Sequence, residues 1–116
     1  MKFRRGDLWW ADLNPTLGTE PGKRRPVVVV QSNLLNKAAH RSTIICPITT
    51  RLVQPPNLLR VRLPATTTGL PQESEILVDQ IRAVDNRRLQ RVIGQLPLSL
   101  MTELSDKLSF LLDLKI

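Results

Sequence analysis

Val27-Val28-Val29-Val30-Gln31 places four β-branched side chains in a row. Such side chains lose rotamer freedom in a helix and pack well on a pleated surface, so this short apolar run predicts a buried strand. Its surroundings repeat the theme. Upstream, Asp7 to Leu13 is an apolar stretch that ends at Asn14-Pro15, a turn signal. Downstream, Thr43 to Ile48 is a third stretch, in which Pro47 predicts a bulge or a sheet edge because it has no N–H for the ladder. Leu59-Arg60-Val61-Arg62-Leu63 alternates, so one face is apolar and the other carries two arginines. Glu75 to Arg82 and Arg91 to Gln95 complete the predicted strands.

Helical signals are fewer. Ser32 to Ala39 predicts a short helix after the valine strand, and Asp85 to Leu89 a single turn. The C-terminal segment predicts a longer helix with Ser99 as N-cap, because Leu100, Met101, Leu104, Leu108, Leu111 and Leu112 recur at helical spacing. That stripe reads as a core or dimer face. Five or six short strands with a terminal helix predict an α+β fold, a small, partly open β-barrel with short helices and a C-terminal helix.

The 116 residues predict one domain spanning 1–116, large enough to bury a core without disulfides. Aromatic residues make up only 3%, which leaves the packing to Leu, Val and Ile. The lone cysteine, Cys46, lies in the apolar run Ile44-Ile45-Cys46 and reads as a core residue. The charged N-terminus has no apolar stretch behind it and does not read as a signal peptide, and Pro26 to Val30 is too short to span a bilayer. A cytoplasmic protein with no membrane contact is expected. Seventeen basic against ten acidic residues give a net charge of +7, which favours a polyanionic partner, nucleic acid first.

Several catalytic groups are missing. His40 is the only histidine and there is no tyrosine, so neither a histidine acid–base pair nor a tyrosine nucleophile is available. No nucleophile-elbow glycines surround a serine. Zinc-type Cys/His clusters, an Asp-x-Asp pair and a Gly-rich phosphate loop are also lacking. Neither a metal nor a cofactor is expected. Glu73 and Glu75 come closest to a carboxylate pair, yet beside a predicted strand they read as a solvated strand entry, and His40 reads as a solvated loop residue.

Arginine-centred electrostatics remain. Glu20-Pro21-Gly22-Lys23-Arg24-Arg25-Pro26 joins two strands through a Pro-Gly turn and sets three cations in a row. Pro26 restricts Arg25 to extended backbone angles, so its side chain leaves the loop in a limited range of directions. Two planar guanidiniums there suit bidentate contact with a phosphate, although a solvated basic loop reads equally well from charge alone. Thr49-Thr50-Arg51 follows the third strand, where hydroxyls and a cation can donate to a phosphate oxygen. Simple β propensity accounts for the threonines as well.

Taken together, the residues resemble the MazF/PemK family of endoribonuclease toxins. The resemblance runs from Arg5-Gly6-Asp7 with Trp10, through Asp12-Leu13-Asn14-Pro15 and Gly18-Thr19-Glu20, to Arg25-Pro26-Val27-Val28-Val29. It continues through Pro47-Ile48-Thr49 and Asp79-Gln80-Ile81-Arg82 with Val84-Asp85. It implies an SH3-like barrel and a homodimer. It further implies metal-independent, sequence-selective cleavage of single-stranded RNA by the neighbouring 2′-OH, leaving 2′,3′-cyclic phosphate and 5′-OH ends. A cognate antitoxin with an acidic tail is the implied protein partner.

By the same resemblance, Arg25 and Thr49 are the catalytic pair and Glu20 is an alternative proton acceptor. Arg5, Glu20 and Gln80 fall on RNA-contact positions, Thr19 is counted with the RNA-binding residues, and charge and position add Arg24 and Arg51. One of Trp9 and Trp10 is expected in the core, leaving the other to stack on a base. Thr19 and Pro21 depart from the commoner pattern, and a stiffer loop implies a different base preference. Two alternatives stand beside this reading: a CcdB-like gyrase-binding toxin, and a nucleic-acid-binding domain of the same fold without catalysis.

Overall fold

The computed structural model describes residues 2–15, 17–54 and 57–114. Among the described residues there are seven strands, β1 (Asp7–Asp12), β2 (Arg24–Val29), β3 (Ser42–Thr49), β4 (Arg60–Leu63), β5 (Ser74–Leu77), β6 (Arg82–Asp85) and β7 (Leu89–Gln95). Three α-helices, α1 (Asn33–Lys37), α2 (Ala65–Thr68) and α3 (Leu98–Leu111), lie between and after them. The strands form one antiparallel sheet in the order β4-β5-β3-β2-β1-β7, with β6 also paired to β3, and the sheet is not closed.

Both faces of the central strands are covered, which explains the unbroken valine run. Val28 and Val30 join Leu8, Cys46, Ile48, Val61 and Ile76 in one core, against Leu104 and Leu108 of α3. Val27 and Val29 point the other way, into a second core with Phe3, Trp9, Ala11, Leu13, Ile45, Val84 and Leu89. Trp9 is therefore the core tryptophan, and it meets the Phe3 ring edge-on at 5.0 Å. Each fully buried valine is worth about 1.5–3 kcal/mol.

The stretch Glu75 to Arg82, expected as one strand, is split. Ile76 pairs with Ile48 and Arg82 with Ile45, so Leu77 to Ile81, five residues, stand opposite Cys46 and Pro47, two residues. The surplus is taken up as a 3-10 turn over Val78–Gln80. Pro47, with no N–H to offer, lies where the ladder lapses.

Other boundaries shift too. β2 starts at Arg24, before the valines, and ends at Val29. Helix α3 begins at Leu98 after Pro97, with no side-chain cap, so Ser99 lies within the first turn instead of capping it. Leu112 follows the helix and is exposed, outside the packed stripe. The short helix after the valines does form, with Ser32 accepting the Leu34 N–H as N-cap. Helix α2 was not expected. It ends at Gly69 (φ 79), and a Cβ on Gly94 would stand 3.0 Å from the Thr68 carbonyl oxygen, so α2 lies tight against β7.

Candidate active site

A groove of about 860 Å³ opens where the β1–β2 connection, the end of β3 and the turn after β5 converge. Its lining includes Thr19, Glu20, Arg24, Arg25, Thr49, Arg51 and Gln80, and Trp10 from β1. Lys23, Arg24, Arg25, Arg51 and Arg60 line it beside Glu20 and Asp79, and with Arg60 paired to Glu75 behind the groove four cations remain against two carboxylates. Such an excess attracts a polyanion.

Arg25 is aimed by two backbone carbonyls. Lys23 adopts φ 65, and its N–H is held by Asn14 Oδ1 at 2.9 Å, which turns the chain into β2. From β2, Arg25 Nε donates to Gly22 O at 2.8 Å and Nη1 to Ile48 O at 3.4 Å. The rest of its N–H fork is left for another acceptor. Burial, and then the charge of Arg51, lowers the Arg25 pKa below its ordinary value.

Thr49 closes β3, and its Oγ1 accepts the Arg51 N–H at 3.1 Å. That bond uses a lone pair and leaves the hydroxyl proton to donate into the groove. Glu20 is more engaged than the sequence implied. Its Oε1 accepts the Leu17 N–H at 3.0 Å, and its Oε2 lies 3.7 Å from Arg82 Nη1. The latter is an ion pair too long for a hydrogen bond, and Arg82 Nη1 is buried without a hydrogen-bond partner among the described residues.

Thr19 and Arg24 are exposed and Gln80 half-buried, all on the groove wall. Arg5 stands apart from them. Its Nη2 donates to Ser105 Oγ on α3 at 2.9 Å and its backbone N–H to Asn33 Oδ1 at 2.8 Å, and it does not line the groove. His40 is exposed. Cys46 is buried in the core, and burial, then Asp79, pushes its thiol up to about 12.

Two features escaped the sequence reading. Arg60 lines the groove, whereas Arg60 and Arg62 had registered only as a polar strand face. Glu75 is not solvated. It is 1% exposed and carries ion pairs to Arg60 at 3.0 Å and Arg62 at 2.9 Å. Two arginines on one strand face, with a glutamate on a nearby predicted strand, were the available signal, because opposite charges on neighbouring strands favour each other across the ladder.

The family model for PemK-like, MazF-like toxins of type II toxin–antitoxin systems matches residues 4–112. The chain is 39% identical over 114 residues to Endoribonuclease MazF6 of Mycobacterium tuberculosis, covering 98% of this chain and all of that protein. In structure it is similar to MazF from Deinococcus radiodurans, with a TM-score of 0.79 and 28% identity over 94% of both chains. It is likewise similar to a MazE–MazF structure from the same organism, with a TM-score of 0.76 and 28% identity over 96% of both chains. With a family match over nearly its whole length and a relative at 39% identity, the chain belongs to the PemK-like, MazF-like toxins of type II toxin–antitoxin systems.

Proposed function

We propose that this chain is the toxin of its system, a metal-independent endoribonuclease that cuts single-stranded RNA at selected sequences. The observation that carries the reading is the convergence of Arg25 and Thr49 on one wall of a cationic groove. The resemblance to an endoribonuclease at 39% identity supports it.

In the proposed reaction the ribose 2′-oxygen attacks the adjacent phosphorus and the P–O5′ bond breaks. A 2′,3′-cyclic phosphate and a 5′-OH result. The free N–H groups of Arg25 and the Thr49 hydroxyl stabilise the charge that grows on the phosphorane oxygens. Glu20 takes the 2′-OH proton, and the departing 5′-oxygen takes a proton from solvent water in the open groove. Arg24, Arg51, Thr19 and Gln80 hold the strand along the groove, Trp10 offers a face for a base, and Arg5 contacts RNA beyond the groove. The open sheet is read as an SH3-like barrel. The working form is a cytoplasmic homodimer, silenced when an acidic antitoxin segment fills the groove, and the MazE–MazF likeness supports such a partner.

The test is incubation of purified protein with a long single-stranded RNA in EDTA. Discrete fragments with 5′-OH ends are expected, and a deoxyribose at the cut site should abolish the cut. Intact RNA would favour the gyrase-binding or non-catalytic alternatives. Continued cutting at deoxyribose would remove 2′-OH attack.

A further inference from the structure

Glu75 lies outside the groove, yet it holds the segment that leaves Thr49. In the β3–β5 register it is the partner of Thr49. Its Oε1 accepts the Val53 N–H and Arg60 Nη1, each at 3.0 Å, and its Oε2 accepts Arg62 Nε at 2.9 Å. The same Arg60 Nη1 donates to the Arg51 carbonyl at 3.1 Å, and Arg62 Nη2 reaches the Val53 carbonyl at 3.5 Å. Backbone groups on both sides of Leu52 are thus bound, directly or through a guanidinium, to one buried carboxylate.

A cluster of this kind contributes little net stability, because taking the charges out of water offsets most of their attraction. An apolar side chain would fill the same site at less cost. What the cluster supplies is a single conformation for residues 51 to 53. In that conformation the Arg51 N–H meets Thr49 Oγ1, and the Arg51 side chain shares the groove with Arg25.

We infer that Glu75 is a positioning residue for cleavage, holding the 51–53 segment so that the Thr49 hydroxyl and the Arg51 charge both face Arg25. This rests on the cleavage reading given above. Without the carboxylate, Arg60 and Arg62 repel each other, the Arg51 carbonyl is released, and the Thr49 hydroxyl loses the donor that orients it. RNA still meets the same groove cations, so the defect falls on turnover and not on binding.

The experiment measures kcat and KM on one short RNA substrate for the wild type, Glu75→Gln and Val61→Ala. Glu75→Gln keeps the shape and removes the charge. Val61 is a fully buried β4 residue paired with Ile76, and its truncation costs stability without touching the polar cluster. Glu75→Gln should lower kcat about 10- to 100-fold, the scale of a small misplacement, with KM within about threefold of wild type. Val61→Ala should keep kcat within about twofold. Unchanged kcat in Glu75→Gln, a rise in KM alone, or an equal loss of kcat in Val61→Ala would each overturn the inference.

If Glu75→Gln does not fold, amide exchange in the wild type decides. The Val53 N–H should be protected like those of β5, and exchange at a loop rate overturns the role. A wild-type chain that leaves RNA intact overturns the cleavage reading itself. Failure of this inference alone looks different, since wild type and Glu75→Gln then cut equally well.

Discussion

Arg25 reaches from β2 to the carbonyl oxygen of Ile48, with Nη1 to O at 3.4 Å, and so is tied to the residue just before Thr49. A second bond, from Nε to Gly22 O at 2.8 Å, fixes the other side of the guanidinium plane. The fork is used for aiming as well as for charge, and a lysine cannot reproduce that.

Arg25→Ala should lower single-turnover cleavage by about 10²- to 10³-fold or more, the cost of losing an oxyanion donor. Arg25→Lys should recover only part of the rate, because a point charge cannot hold two carbonyls and a phosphate together. RNA affinity should change little, and the slope of log K against log salt should fall by about 0.7, one phosphate contact on a single strand. Salt-dependent binding measured beside cleavage checks both statements.

Thr49→Val replaces the hydroxyl with a methyl of similar size. Cleavage should fall about 10²-fold or more, while Thr49→Ser should retain most of it. The valine variant also leaves the Arg51 N–H without its acceptor, so the product pattern should blur at neighbouring positions. End-mapping of the fragments shows whether it does.

Glu20→Gln should reduce the rate about 10²-fold if its carboxylate accepts the 2′-OH proton. Arg82→Met, which frees Glu20 from its 3.7 Å ion pair, should cost much less. Equal losses in the two variants would assign Glu20 to anchoring the β1–β2 connection instead.

Much of this was legible in the sequence, for identifiable reasons. The valine run, the alternation at Arg60 to Leu63 and the C-terminal leucines are local patterns, and each became the expected element. The break at Val78 to Gln80 was not legible, because it arises from two strands sharing one edge of β3. Helix α2 has no apolar stripe to betray it. At the site, Pro26 justified an aimed Arg25, but its targets, Gly22 O and Ile48 O, are products of the fold. Glu75 was misread because its partners lie on another strand. Arg5, placed among RNA contacts by resemblance, lies outside the groove and bonds Ser105, a link that only the fold creates.

Acid should expose the Glu75 cluster. Burial alone would raise its pKa, but the Val53 N–H, then Arg62 and Arg60, outweigh burial and hold it below the ordinary 4.5. A depressed folded value means that the contribution to stability is complete above about 4.5 and is lost as pH falls through the folded pKa. Melting temperature should therefore decline below that point, and Glu75→Gln should show a shallower decline.

Cys46 should be inert in the native protein. With its thiol pushed up to about 12 and buried in the core, it carries almost no thiolate at pH 8. Reaction with a thiol reagent should wait for unfolding, so that its rate reports global opening. Rapid modification of folded protein would contradict the packing described.

The alternation of Val27 to Val30 between two cores divides the molecule into parts that can vary and parts that cannot. Arg25 and Thr49 sit on strands gripped from both faces, so any shift in either would disturb two cores at once. Thr19 and Gln80 ride on connections outside those two strands, where residues can be exchanged without moving the frame. On the proposed reading, a lineage built on this plan can change the sequences it recognises by rewriting its loops, and keep one cutting geometry throughout.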